Sequence, residues 1–167
     1  ATADRRGKAY ALRGIGTIYA ARGENTKALR EYSSALLFYR AEKDLRGQAD
    51  TLNLIGQVYN ELGQSQARTY FTLATKLGRQ AEYPLAEMAG LANLAALDRK
   101  HGELVEALKH TEAALMIAES LREKVASPDF RASYFSSVRQ LYQLHIDVLM
   151  SLHKDNPDQR YDVKAFE

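Results

Sequence analysis

The 167-residue chain contains no cysteine. Disulfides, thiolate metal sites and a cysteine nucleophile are therefore excluded within it. The composition fits a reducing compartment, so a cytoplasmic location is the expectation. Charge of one sign is also scarce: 23 Lys plus Arg face 21 Asp plus Glu. A nucleic-acid binder normally carries a strong basic excess or a one-sided basic stripe, so nucleic acid is not an expected partner. The short cluster Arg5-Arg6-x-Lys8 reads as the solvated end of a helix rather than a phosphate site. No apolar run approaches the roughly 18 residues of a membrane span, and no signal peptide opens the chain, so membrane insertion is not expected. The first residue is Ala1 rather than Met, which points to a piece of a longer protein.

What the chain does have is repetition. Leu12-x-x-Ile15-Gly16-x-x-Tyr19-x-x-x-Gly23 recurs as Leu52-x-x-Ile55-Gly56-x-x-Tyr59-x-x-x-Gly63. The copy extends backwards, with Asp4-x-Arg6-Gly7-x-Ala9 matched by Asp44-x-Arg46-Gly47-x-Ala49. Leu91, Leu94, Ala95, Asp98 and Gly102 fill the same slots in a weaker third copy. A period in the range of about 20–50 residues is the mark of a stacked repeat protein.

Each copy reads as a helical hairpin. Ala9, Leu12, Ile15, Gly16 and Tyr19 share one helical face and predict a buried stripe. Gly16 costs helix propensity, so it predicts a close approach by a neighbouring helix, as do Gly56 and Ala95 in the same slot. Gly23, Gly63 and Gly102 end the first helices. The second helices carry Ala28, Leu29, Tyr32, Ala35, Leu36 and Tyr39; then Ala67, Phe71 and Ala74; then Ala107, Leu108, Ala114, Leu115 and Ala118. The hairpins span about 4–43, 44–82 and 83–126. One residue is missing between Gly63 and Ala67 relative to the other copies. A deletion inside a helix would rotate its face by about 100°, so the turn at Gln64–Gln66 is expected to absorb it and leave Phe71 buried.

After Leu121 the period breaks. Ser127-Pro128-Asp129 reads as a helix start, and a long helix is predicted over about 128–153. It is apolar on more than one side (Phe130, Tyr134, Phe135, Val138, Leu141, Tyr142, Leu144, Ile146, Val148, Leu149, Leu152), and so expects neighbours on more than one side. Segment 127–167 is read as that helix, belonging to a truncated fourth hairpin, plus a C-terminal tail.

The pattern Leu12, Ile15, Gly16, Tyr19, Gly23, Ala28, Tyr32, Ala35, repeated as Leu52, Ile55, Gly56, Tyr59, Gly63, Ala67, Phe71, Ala74, resembles the tetratricopeptide repeat. The third copy departs from it, with Asp98 for Tyr and Thr111 for the second aromatic, and the period is nearer 40 than the usual 34 residues. The resemblance covers about Asp4–Leu121. It implies an all-α, right-handed superhelical array of antiparallel helix hairpins, about three repeats plus the long helix of a truncated fourth, with the first helices lining a concave side. Downstream, Ser120-Leu121-Arg122-x-Lys124-Val125-x-Ser127-x-x-Phe130-Arg131-x-Ser133-Tyr134-Phe135 and Ile146-Asp147-x-Leu149-Met150-x-Leu152-His153 resemble the last repeats of bacterial CHAT-domain proteins. In those, a repeat array precedes a caspase- and separase-like peptidase domain. Tyr161-Asp162-x-x-Ala165-Phe166-Glu167 would open the helix leading towards it. No residue of a His–Cys pair can be carried over.

No catalytic constellation emerges. Gly14-Ile15-Gly16 lacks the third glycine and the preceding strand of a nucleotide loop. His101, His110, His145 and His153 show no metal-ligand spacing and read as surface or cap residues, so neither metal nor cofactor is expected. The tyrosines fall at repeat slots and read as packing. The candidate groove beside the buried stripe is Tyr10, Arg13, Thr17, Asp50, Asn53, Gln57 and Asn60, with Asn93, Arg99 and Lys100 from the third repeat; Ala20, Ala89, Ala92 and Ala96 lie between them. The family's carboxylate clamp of paired lysines and asparagines is not reproduced. The expectation is a non-catalytic module binding a protein or peptide, or docking a downstream peptidase domain of the same chain. The alternative is a structural spacer or a self-association element, such as a homodimer, acting through the apolar face of the long helix.

Overall fold

The computed structural model describes residues 2–122 and 128–165. Ser127, Lys124, Val125, Phe166 and Glu167 lie outside the described residues, as do the side chains of Phe130, Arg131 and Ser133. The elements are α1 (Thr2–Ala21), α2 (Asn25–Ala41), α3 (Leu45–Glu61), α4 (Gln66–Gln80), α5 (Pro84–Lys100), α6 (Leu104–Arg122), α7 (Pro128–Asp155), a 3₁₀ turn (Pro157–Gln159) and α8 (Tyr161–Lys164). The fold is all-α, and successive helices pack against each other as hairpins. Two compact units result, Ala1–Gly90 and Leu91–Glu167. This division falls inside α5.

The turns explain the regular punctuation. Gly23, Gly63 and Gly102 adopt φ of 72°, 67° and 79°, the left-handed conformation that closes a helix at little cost only for glycine. The next amide then reaches back over the last turn, from Glu24 N–H to Tyr19 O (2.9 Å), Gln64 N–H to Tyr59 O (2.9 Å) and Glu103 N–H to Asp98 O (2.8 Å). Between hairpins the same closure is made without glycine. Asp44 N–H donates to Tyr39 O and Tyr83 N–H to Gly78 O, while Lys43 (φ 53°) and Glu82 (φ 48°) take the left-handed position.

The missing residue is absorbed where the sequence placed it. Ala28 N–H and Ala107 N–H donate to Glu24 O and Glu103 O, four residues back, whereas Ala67 N–H donates to Gln64 O, three residues back. The entry turn of α4 is tightened, and Phe71 is 1% exposed.

In unit 1 the core is Tyr32, Leu36, Leu52, Ile55, Val58 and the small residues between them. A fully buried side chain of this size stabilises by about 2 kcal/mol. The glycine slot does what its cost implied. A methyl on Gly16 would come within 2.6 Å of the Tyr32 ring, and one on Gly56 within 2.5 Å of the Phe71 ring. The third copy carries Ala95 in the glycine slot and the smaller Thr111 in the aromatic one, both fully buried.

The expected stripe on α1 needs correction. Ala9 and Gly16 are buried, Leu12 and Tyr19 half-buried, but Ile15 is 43% exposed. Its counterpart Ile55 is 3% exposed because it packs with Tyr32 and Leu36 of α2. No described helix precedes α1 to do the same for Ile15.

In unit 2, Ala107 of α6 packs with Val148 and Leu152 of α7, and Leu144 and Tyr161 close over them. Tyr134 is buried, its hydroxyl donating to Ala118 O at 2.6 Å. Phe135, Tyr142 and Met150 are exposed, so α7 is covered on fewer sides than its composition implied.

Candidate functional site

The residues proposed for a groove do not behave as one set. Tyr10, Arg13 and Asp50 converge in unit 1 at a cleft of about 600 Å³ between α1 and α3. Arg6, Gly7, Tyr39, Asp44, Arg46 and Gly47 complete its lining. Helical spacing accounts for the α1 side, since Arg6, Tyr10 and Arg13 lie at i, i+4 and i+7.

Arg13 is the fixed centre of the cleft. Its guanidinium donates to Asp50 Oδ2 at 2.9 Å, and its carbon lies 5.4 Å from the Tyr10 ring centroid and 5.9 Å from that of Tyr39. Each such cation–π contact is worth about 0.5–1 kcal/mol at exposed sites. Burial pushes the Asp50 carboxyl above the usual carboxylate range, with Arg13 acting in the opposite direction. A fifth of the Arg13 side chain and a third of Asp50 remain exposed, so the pair contributes at most about 1 kcal/mol. The carboxylate is thus held at a desolvation cost for little stability, a pattern that clusters at functional sites. Arg46 lies 5.5 Å from the Tyr83 ring centroid, and burial pushes the phenols of Tyr83 and Tyr39 up, which keeps them neutral.

The remaining candidates in unit 1 are dispersed. Thr17 is exposed; its Oγ1 donates to Arg13 O at 3.1 Å and accepts from the Tyr32 hydroxyl at 3.3 Å. Gln57 is exposed and Asn60 half-buried. Asn53 is different: it is 6% exposed, and its Nδ2 donates to Ala86 O at 3.2 Å. That amide ties α3 to the first turn of α5. In unit 2, Asn93 is half-buried, Lys100 is exposed, and Arg99 pairs with Asp147 at 3.3 Å.

Sequence reasoning passed over Tyr39, Asp44, Arg46 and Tyr83, and set Arg6 aside as a solvated end. A signal was available, because Arg6-Gly7 and Arg46-Gly47 are the same slots in successive repeats. Asp44 caps α3, its Oδ1 accepting from Gly47 N–H at 2.9 Å.

The histidines also depart from the surface reading. His110 Nδ1 lies 2.7 Å from Oδ2 of Asp98, which is fully buried. His145 Nδ1 lies 2.8 Å from Thr111 Oγ1. Because the Thr111 hydroxyl donates to Leu108 O, its oxygen accepts from a His145 Nδ1–H. Burial lowers the pKa of His145, opposed by the nearby Glu112. No group of three or more His, Asp or Glu side chains among the described residues is placed to hold a metal. No helix among them is long and apolar enough to cross a membrane.

No protein-family model matches the chain, and no curated protein matches it. Among solved structures it is similar to BtubC (BKLC) from P. vanneervenii, with a TM-score of 0.64 at 18% identity. The chain has the fold of a helical repeat protein. The likeness takes in 93% of this chain and 63% of that one, and at such identity it is a likeness of fold. The helical repeat reading agrees with the shared turn geometry at Gly23, Gly63 and Gly102.

Proposed function

We propose that this helical repeat protein is a tetratricopeptide array that binds a protein or peptide partner through the side of its first helices. The observation that carries the proposal is the cleft between α1 and α3, where Tyr10, Tyr39 and Asp50 hold the Arg13 guanidinium on three sides. Exposed aromatic and arginine side chains are the types enriched at protein interfaces. The tetratricopeptide reading is supported by the glycine–aromatic pairs Gly16–Tyr32 and Gly56–Phe71 in one register. The module is non-catalytic, and the motif around Ser120–Phe135 favours a place beside a CHAT-type peptidase domain. That domain would compete for the same face. The test is selection of a randomised peptide display library on the purified chain. Enriched peptides should lose binding to Tyr10→Ala and Arg13→Ala; a selection without enrichment, or ligands indifferent to both changes, rejects the groove.

A second reading, self-association, is favoured by Phe135, Tyr142 and Met150, which are 57%, 42% and 42% exposed along α7. Light scattering of the chain across a wide concentration range decides it. A mass that stays monomeric removes the reading, and a dimer abolished by Phe135→Ser supports it.

A further inference from the structure

The cleft between α1 and α3 has a charge pattern that constrains what can enter it. Arg6, Arg13 and Arg46 line it against Asp44 and Asp50, a local excess of one positive charge. Both carboxylates are engaged, Asp50 by Arg13 and Asp44 by the Gly47 amide. Arg13 is likewise engaged. The excess therefore resides on Arg6 and Arg46, which occupy the same repeat slot, are both exposed, and have no carboxylate partner among the described residues.

We propose that this cleft is an acceptor for a single carboxylate side chain, an aspartate or glutamate of the bound peptide, held by Arg6 and Arg46 with the Tyr10 ring beside it. The proposal rests on the peptide-binding reading above and names its charge. Arginine suits the task because its planar fork can bond both oxygens of a carboxylate. Arg46 is steadied over the Tyr83 ring, which reduces the rotamer freedom lost on binding. A monoanion balances the excess. A phosphate dianion would leave a net negative charge facing Asp44 and Asp50, and a lysine would add to a surplus already positive. Tyr10, 69% exposed, offers an open aromatic surface for a residue next to the acid.

The test uses the whole chain and fluorescein-labelled peptides of one design, Gly-Ser-X-Tyr-Gly-Ser-Gly with an amidated C-terminus, with the single X as Glu, Gln, Lys or phosphoserine, read by anisotropy. The Glu peptide should bind at least about tenfold more tightly than the Gln peptide, a difference of about 1.4 kcal/mol, and the gap should shrink as salt is raised. Arg6→Gln with Arg46→Gln should erase that gap, the Glu peptide losing more affinity than the Gln peptide. Both positions are exposed, and an unchanged melting curve will show that the variant is folded. Equal binding of the Glu and Gln peptides, or a gap that survives the double substitution, overturns the acidic-acceptor inference. Tightest binding by the phosphoserine peptide also overturns it. If Gln or Lys peptides bind through Tyr10 and Arg13 while Glu peptides do not, the groove stands and its acidic preference falls. If no peptide of the series binds and the display selection is also empty, both fall.

Discussion

Asp98 and His110 meet at 2.7 Å in the two slots where, one repeat earlier, Tyr59 and Tyr70 stack with ring centroids 5.1 Å apart. One pair of positions therefore joins first and second helix by a polar contact in one hairpin and by an aromatic one in another. Asp98 is fully buried, so removing its imidazole partner exposes a desolvation cost. His110→Ala should destabilise the chain by about 2–4 kcal/mol, and His110→Gln by less. A loss under about 0.5 kcal/mol in urea denaturation would mean the contact is incidental.

The glycines divide into two classes with opposite expected signs. Gly56 has the Phe71 ring in the space a methyl would need, whereas Gly14, inside α1, has nothing within 4 Å. Gly14→Ala should stabilise by about 0.5–1 kcal/mol through helix propensity. Gly56→Ala should destabilise by about 1–3 kcal/mol through overpacking. In a Phe71→Leu background the cost of Gly56→Ala should fall, and a double-mutant cycle showing no coupling would disprove the contact.

Lys43 and Glu82 hold a left-handed conformation that glycine takes at no steric cost. Lys43→Gly and Glu82→Gly should each stabilise by up to about 1 kcal/mol and raise the thermal midpoint by a few degrees. The reverse experiment, Gly23→Ala at φ 72°, should destabilise by a similar amount. If all three changes lower stability, the two non-glycine positions are not strained.

Asn53 should separate packing from binding. Asn53→Ala leaves Ala86 O without the Nδ2 donor it has now, at a cost of about 1–3 kcal/mol. Gln57→Ala, at an exposed position on the same helix, should change stability by under about 0.5 kcal/mol. Equal costs in denaturant titrations would show that the Asn53 bond is not maintained in solution.

His145 gives the chain a pH dependence of definite sign. Its pKa in the folded state lies below the ordinary value of 6.5, so folding disfavours the imidazolium. Its stabilising contribution is complete above about pH 6.5, begins to be lost as pH falls through that value, and goes on falling until the folded imidazole itself titrates. Thermal midpoints of the wild type minus those of His145→Gln should therefore narrow between neutral and mildly acidic pH. A difference that widens on acidification would reverse the assignment.

The fold was more legible than the site, for a physical reason. Periodicity records burial, so Leu52, Ile55 and Phe71 could be placed from their slots, and the short turn before Ala67 could be located by counting. Burial also depends on which helix lies next door, which a repeat does not encode, so Ile15 looked like Ile55 and proved exposed. Polar partners are less periodic still. Asn53 and Asn60 are both amides beside the stripe, yet Asn53 is spent on a carbonyl thirty-three positions away. The Asp98–His110 pair could have been found by asking what faces the one slot where tyrosine is missing.

In unit 1, α1 pairs with α2, α2 with α3 and α3 with α4, with a smaller contact between α1 and α3. Contacts so close in sequence mean a low contact order, and chains of that kind close quickly. They also yield differently under load. A hairpin of some 40 residues can detach and lengthen the chain by up to about 140 Å while its neighbour keeps most of its own contacts. Pulled from its ends, unit 1 should extend in steps, as a strap shortens by notches.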